Sequence, residues 1–260
     1  MVVQADEGRL TKPPRILLAT AVPQERDAVA RAFTEAVEER RLPGGAVLHR
    51  VRTAARPGAP VADLLAAGVG PARAAAATAS ALTAAALAGE PYGLVVSAGI
   101  GGGFLPAAPV GSLVLAELIT AADLGAESPE GFLPVTALGF GTVTHTPPPE
   151  LVRRAAAALG CPAGEVLTVS TVTGSAARAA VLRARHPRAL AEAMEGFGVA
   201  EAAAAHGCPV AELRAVSNPV GPRDRAAWRI PEAFAALTGG MRKFLPVLES
   251  WTEEQVPDRG

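Results

Sequence analysis

Four stretches of the chain offer groups that could meet a small polar ligand. Glu25 comes just after an apolar run from Arg15 to Thr20, at the place where an open α/β sheet presents its loops to a ligand crevice. A carboxylate there either faces that crevice or complements the dipole of a helix that starts near Pro23. Ser97-Ala98-Gly99-Ile100-Gly101-Gly102-Gly103 ends a second apolar run in glycines, which would let backbone N–H groups approach a ligand closely. A tight turn would use the same residues. Ala193-Met194-Glu195-Gly196 sets an acid beside an alanine-rich, otherwise apolar segment. Burying an unpaired carboxylate is costly, so Glu195 either faces solvent or meets a polar ligand such as vicinal hydroxyls. Arg214-Ala215-Val216-Ser217-Asn218-Pro219 ends a strand-like run on a carboxamide, although Asn before Pro also serves ordinary turns.

Spacing argues against several other chemistries. Phe104 stands where a G-x-G-x-x-G fingerprint would need its third glycine, and no G-x-x-x-x-G-K-[ST] occurs, so neither a dinucleotide nor a P-loop site is expected. His49, His145, His186 and His206 lack ligand spacing, and no metal or other cofactor is assigned. Cys161 and Cys208 stand apart, and a chain of this size needs no disulfide, which fits a reducing cytoplasm. Lys+Arg 24 against Asp+Glu 25 gives a net charge of −1 and no field that would recruit a polyanion. Nucleic acid and membrane surfaces are therefore not expected as partners. Asp6, Glu7, Arg9 and Lys12 precede any apolar run, and no apolar stretch reaches the roughly 18 residues of a membrane span. A soluble protein is expected.

The elements that must position these residues follow from the punctuation. With 260 residues, half of them apolar and 19% charged, the chain can bury a sizeable single core. Strands are predicted at Arg15 to Thr20, Ala46 to Val51, Gly93 to Ala98, Ser112 to Glu117, Val166 to Thr171 and Val210 to Ser217. Helical patterning covers Pro23 to Glu39, Pro71 to Leu87, Glu150 to Leu159, Ala176 to Arg185 and Gly196 to His206. This is an α/β alternation that winds into one sheet. Glu127 to Pro134 is expected as a surface excursion of a length that suits a lid, and one or two helices are expected after Trp228. One domain is expected over 15–252, with a mobile leader at 1–14 and a frayed tail at 253–260.

Taken in order, the four stretches resemble the nucleoside phosphorylase superfamily, and in particular its methylthioadenosine/adenosylhomocysteine nucleosidase branch, over roughly Arg15 to Trp228. The resemblance implies a three-layer α/β/α domain with a central mixed, twisted sheet, and it supplies roles. Glu25 would be the water-activating acid. Ala98, Gly99 and Gly102 would line the base and ribose pocket, Met194 and Glu195 would grip the ribose, and Asn218 would sit at purine N7. The stretch beginning Met194-Glu195-Gly196-Phe197-Gly198, with Gly221-Pro222-Arg223-Asp224-Arg225 before Trp228, is similar to the futalosine hydrolase family of menaquinone biosynthesis. That likeness implies a small-molecule nucleoside substrate, release of hypoxanthine by hydrolysis, and a homo-oligomer whose neighbour can lend residues to the pocket.

Two departures from the adenine nucleosidases bear on the base. No aromatic residue stands in the stretch from Ser170 to Ser175, and Asn218 replaces their Asp. A carboxamide can accept from N7–H and donate to O6, the pattern of a departing 6-oxopurine such as hypoxanthine. Cleavage passes through an oxocarbenium-like sugar, so a carboxylate near C1′ can orient water and take its proton. An ionised Glu25 would repel phosphate, which favours hydrolysis over phosphorolysis. Arg223 and Arg225 could clamp a carboxylate at the 5′ side, or form a solvated charge cluster with Asp224. A phosphate-dependent 6-oxopurine phosphorylase and a catalytically silent nucleoside binder are the competing readings.

Overall fold

The computed structural model describes residues 15–56 and 58–254. The expected leader lies outside the described residues, as does the expected tail beyond residue 254. Strand β1 (Arg15–Thr20) runs into helix α1 (Pro23–Ala30), followed by β2 (Glu38–Arg41), β3 (Val47–Arg52), β4 (Val61–Ala66) and α2 (Pro71–Leu87). The middle of the chain holds β5 (Leu94–Gly103), β6 (Leu113–Ala121), β7 (Gly125–Ser128), β8 (Gly131–Pro134), β9 (Thr144–His145) and α3 (Pro149–Leu159). The last part holds β10 (Ala163–Thr168), α4 (Ala176–Arg185), β11 (Ala189–Ala193), α5 (Gly196–Ala205), β12 (Val210–Pro219) and α6 (Ile230–Glu254).

Ten strands form one mixed sheet in the order β11-β10-β6-β12-β5-β1-β4-β3-β2, with β9 paired to β6. Strand β11 also pairs antiparallel with the end of β5, through Ala191 to Gly103 and Glu192 to Gly102, so that β5, β12, β6, β10 and β11 close into a ring. One face of the sheet packs on α2 and α5 through residues such as Val95, Ala74, Ala81, Val199 and Ala203. The other face packs on α1, α3 and α6 through Ile16, Leu64, Val96, Leu151, Leu237 and Phe244. The three-layer α/β/α arrangement implied by the resemblance is the one observed. The alanines of α2 and α5 let those helices lie close together: a Cβ on Gly198 would strike the backbone of Pro71.

Several boundaries differ from the sequence expectation. Helix α1 ends at Ala30 instead of reaching Glu39, because Glu38–Arg41 pairs antiparallel with β3, and helix propensity cannot see a partner strand. Its four charged, exposed residues suit an edge. Strands β4 and β11 were not expected: β4 carries a buried aspartate, and β11 is alanine-rich and reads as helix. The expected strand Val166 to Thr171 sits three residues earlier, at Ala163–Thr168. The surface excursion is a hairpin, β7 with β8, outside the main sheet. Among the described residues after Trp228 there is a single helix, α6, which contains Pro246 and runs to Glu254, two residues into the expected tail.

Candidate active site

The site candidates gather at the C-terminal ends of β1, β5 and β12, where an open α/β sheet presents ligands. Glu25 lies in the first turn of α1 and is 4% exposed. Its Oε2 accepts from the N–H groups of Ala21 at 2.9 Å and Val22 at 3.3 Å, so it does cap the helix. Its Oε1 accepts from Ile100 N–H on β5 at 2.8 Å. The capping role is thus observed, and the same side chain also ties α1 to the end of β5. A carboxylate has about four acceptor positions, so three such bonds leave one on Oε1 for a further donor. Burial pushes the Glu25 carboxyl above its ordinary value of 4.5 and Glu195 adds to the rise, against the pull of the Arg214 charge and the amides of Ile100 and Ala21.

Gly99 makes this approach possible. A Cβ there would stand 2.7 Å from both Glu25 Oε1 and Arg214 Nη1. The glycine cluster is therefore no turn; it lies within β5, with its sides open to neighbouring side chains. Ala98 points the other way, fully buried in the core beneath α1 and α6, and only its backbone is placed to meet a ligand.

Glu195 lies two residues beyond β11, at the N-cap of α5, and is 6% exposed, so the solvent-facing alternative does not hold. Its Oε1 accepts from Gly70 N–H at 3.2 Å, at the amino end of α2, where the helix dipole favours an anion. Gly70 takes φ +90°, a conformation that other residues rarely adopt. Glu195 Oε2 lies 3.4 Å from Arg214 Nη1. Met194 beside it is half-buried.

Asn218 sits on β12 against Gly102, where a built Cβ would come 3.4 Å from Asn218 Nδ2. The register between β12 and β5 slips between Val216 and Asn218, a bulge that re-aims the carboxamide. Ser217 Oγ donates to Asn218 Oδ1 at 2.8 Å, and Asn218 Nδ2 donates to the Pro219 carbonyl at 3.0 Å. The second bond fixes which end of the amide is which. One N–H and one lone pair remain for a ligand. Ile100, which holds Glu25, and Gly102, which faces Asn218, are two residues apart on β5, about 7 Å. Acid and carboxamide thus both border the same end of β5.

Arg223 and Arg225 lie beyond β12 on an exposed segment. The three charged residues stand together on the surface, where Asp224 accepts from Ala226 N–H and makes no ion pair with either arginine. Arg223 stacks over the Trp228 ring at 5.2 Å, and its N–H donates to the carbonyl of Gly174, which ties the segment to the loop after β10.

Sequence reasoning missed the residue that joins the acids. Arg214 is 1% exposed and donates from Nε to Glu212 Oε1 at 2.8 Å, from Nη2 to Ser97 Oγ at 2.8 Å and from Nη1 to Glu195. Burial works against its charge, but Glu212, Glu195 and Glu25 outweigh it and raise its affinity for the proton. The available signal was a Glu and an Arg two apart in an otherwise apolar strand, where buried charges need partners. Among the described residues no His, Cys, Asp or Glu group is arranged to hold a metal ion, and no helix is long and apolar enough to cross a membrane.

A model of the Phosphorylase superfamily matches residues 15–239. Futalosine hydrolase of Streptomyces coelicolor is 72% identical over 236 residues, covering 91% of this chain and 97% of that protein. Futalosine hydrolase of Acidothermus cellulolyticus is 46% identical over 226 residues, covering 85% of this chain and 86% of the other. Among solved structures, the methylthioadenosine/adenosylhomocysteine nucleosidase of Colwellia psychrerythraea, in complex with adenine, superposes with a TM-score of 0.76 at 19% identity, over 91% of this chain and 96% of that one.

Proposed function

Starting from the premise that the chain belongs to the phosphorylase superfamily and, within it, to the futalosine hydrolases, we propose that it hydrolyses the N-glycosidic bond of futalosine to release hypoxanthine and dehypoxanthine futalosine, in menaquinone biosynthesis. The observation that carries the substrate is the 72% identity extending over 97% of the Streptomyces coelicolor protein. The geometry supports the chemistry. Glu25, with one acceptor position free, takes the proton of the attacking water near C1′. Glu195, held by Gly70 and Arg214, accepts from ribose hydroxyls, and Met194 underlies the sugar. Positive charge at the anomeric carbon grows in the transition state, so a fixed anion nearby stabilises it more than the ground state.

Asn218 receives N7–H on Oδ1 as the base departs and donates from Nδ2 to O6. The bonds to Ser217 and Pro219 hold it in the orientation that this pairing needs. Phosphate is disfavoured as the attacking group, because the buried guanidinium beside Glu25, that of Arg214, is already surrounded by Glu25, Glu195 and Glu212. Ala98, Gly99 and Gly102 contribute backbone to the pocket wall. Arg223 and Arg225, neither paired with Asp224, take the carboxylate of the benzoate that futalosine carries at its 5′ side. The reading further includes a cytoplasmic homo-oligomer, with the unpaired Cys161 and Cys208 suited to a reducing compartment. The test is hypoxanthine release by purified protein from futalosine, inosine and methylthioadenosine, each with and without phosphate. Phosphate-independent release from futalosine above the other two is expected; release that requires phosphate would overturn hydrolysis.

A further inference from the structure

Glu212 takes no part in the chemistry above, yet it has no exposed surface. Among the described residues, the other fully enclosed carboxylate, Asp63, has both oxygens bonded, to Arg15, Arg50 and Tyr92. Glu212 has one bonded oxygen, Oε1, while Oε2 has no hydrogen-bond partner. Desolvating a buried ion pair is costly, and replacing both partners with apolar side chains of similar volume is often neutral or stabilising, so the Glu212–Arg214 pair is not explained by stability.

What Glu212 does is fix a plane. It precedes Arg214 by two residues on β12, so the two side chains share a face of the sheet. The guanidinium is held at Nε by Glu212 and at Nη2 by Ser97 on the adjacent strand, and Nη1 is thereby turned toward Glu195 and lies over Gly99 beside Glu25. The space for Glu212 is provided by the residue next to Glu195: a Cβ on Gly196 would collide with both carboxylate oxygens of Glu212. Glu195, Gly196, Glu212 and Arg214 thus form one interlocked set.

We propose that Glu212 is a positioning residue which, through Arg214, holds Glu195 in register with the ribose hydroxyls and so makes the enzyme selective for ribosides over 2′-deoxyribosides. This rests on the reading of Glu195 as the ribose carboxylate. The test compares futalosine with its 2′-deoxy analogue in the wild-type protein and in Glu212→Gln, Glu212→Leu and Ser97→Ala variants. The readout is kcat and KM for base release. Gln still offers Nε an acceptor, so the riboside preference should stay within about 3-fold of wild type. Leu leaves Nε unpaired and the guanidinium free to turn, and kcat/KM for the riboside should fall about 10- to 100-fold further than that for the 2′-deoxy analogue, any loss that comes through Glu25 being common to both sugars. Ser97→Ala deletes only a hydroxyl and should lower the preference by about 3- to 10-fold, which keeps the test decisive if the Leu protein does not fold. Equal losses on both sugars, or an unchanged preference in the folded variants, would overturn the proposal, as would a wild-type protein that treats the two sugars alike. Absence of any wild-type turnover of futalosine would instead refute the function itself.

Discussion

Glu25→Gln separates the proposed duty of Glu25 as general base from the hydrogen bonds by which it caps α1 and ties it to β5. Removing a general base typically lowers the rate by about 10²- to 10⁴-fold. The amide also carries a stability cost. Glu25 accepts from Ala21 and Val22 on one oxygen and from Ile100 on the other, so the NH₂ end of a glutamine must face a donor whichever way it is turned. A buried donor left unpaired costs about 1–3 kcal/mol. For a domain of this size each kcal/mol lowers Tm by about 2–4 °C, which gives an expected fall of about 2–12 °C. The assay is hypoxanthine release from futalosine beside thermal unfolding, with hypoxanthine binding measured calorimetrically. The variant should be nearly inactive and less stable, and it should still bind the free base through Asn218. Because burial raises the Glu25 carboxyl above 4.5, and only the ionised form accepts a proton, wild-type kcat/KM should be lost as pH falls through a limb lying above 4.5. A variant that keeps more than about a tenth of the wild-type rate would refute the assignment.

Three further outcomes follow from other parts of the molecule. Asn218→Asp should shift relative activity from hypoxanthine toward adenine nucleosides, by up to about 10⁴-fold where buried hydrogen bonds set the choice; an unchanged ratio in competition assays would remove the base-reading role. Replacing Arg223 and Arg225 together with Ala should raise KM for futalosine by about 10- to 100-fold and leave inosine, which has no benzoate, within about 3-fold; equal effects on both would place the arginines outside the acid's site. Asp63 lies far from this chemistry, toward the N-terminal ends of β1 and β4, where Arg15, Arg50 and Tyr92 together outweigh burial and hold its carboxyl below 3.8. Its ion pairs therefore contribute stability above that value and lose it as pH falls through the lowered one. Asp63→Asn breaks a buried network and should cost about 3–5 kcal/mol in denaturant unfolding at neutral pH, with base release by the folded protein retained; a loss under about 1 kcal/mol would contradict the network's role.

The sequence made some of this legible and hid the rest for identifiable reasons. Strand β1 and helix α2 have the expected bounds, because an apolar run and an uninterrupted alanine-rich stretch opened by Pro71 are local signals. Glu38–Arg41 and Ala189–Ala193 escaped because their strand character depends on partners elsewhere in the chain. At the site, Glu25, Glu195 and Asn218 could be singled out because acids and amides at the ends of apolar runs demand a reason. Arg214 and Glu212 were harder to see. Inside an apolar strand they satisfy one another, and only three-dimensional packing shows that the pair faces Glu195 and Gly99.

The glycines of β5 connect these pieces. Each is small for a different neighbour: Gly99 for Glu25 and Arg214, Gly101 for the carbonyl of Glu192, Gly102 for Val220 and the Asn218 amide. None of those three has a positive φ, so what selects glycine is close approach and not backbone conformation. A strand stripped of side chains loses packing of its own, and Gly within a strand weakens it. Here the lost packing is replaced by side chains from β12, from the first turn of α1 and from the end of β11, which is how residues nearly two hundred positions apart come to border one strand end. A methyl group at position 99 would have to displace both Glu25 and Arg214, since an atom of each stands 2.7 Å from where it would lie. The bareness of this strand is thus a requirement of the acid–guanidinium arrangement, and the site is built where the sheet gives up its own side chains.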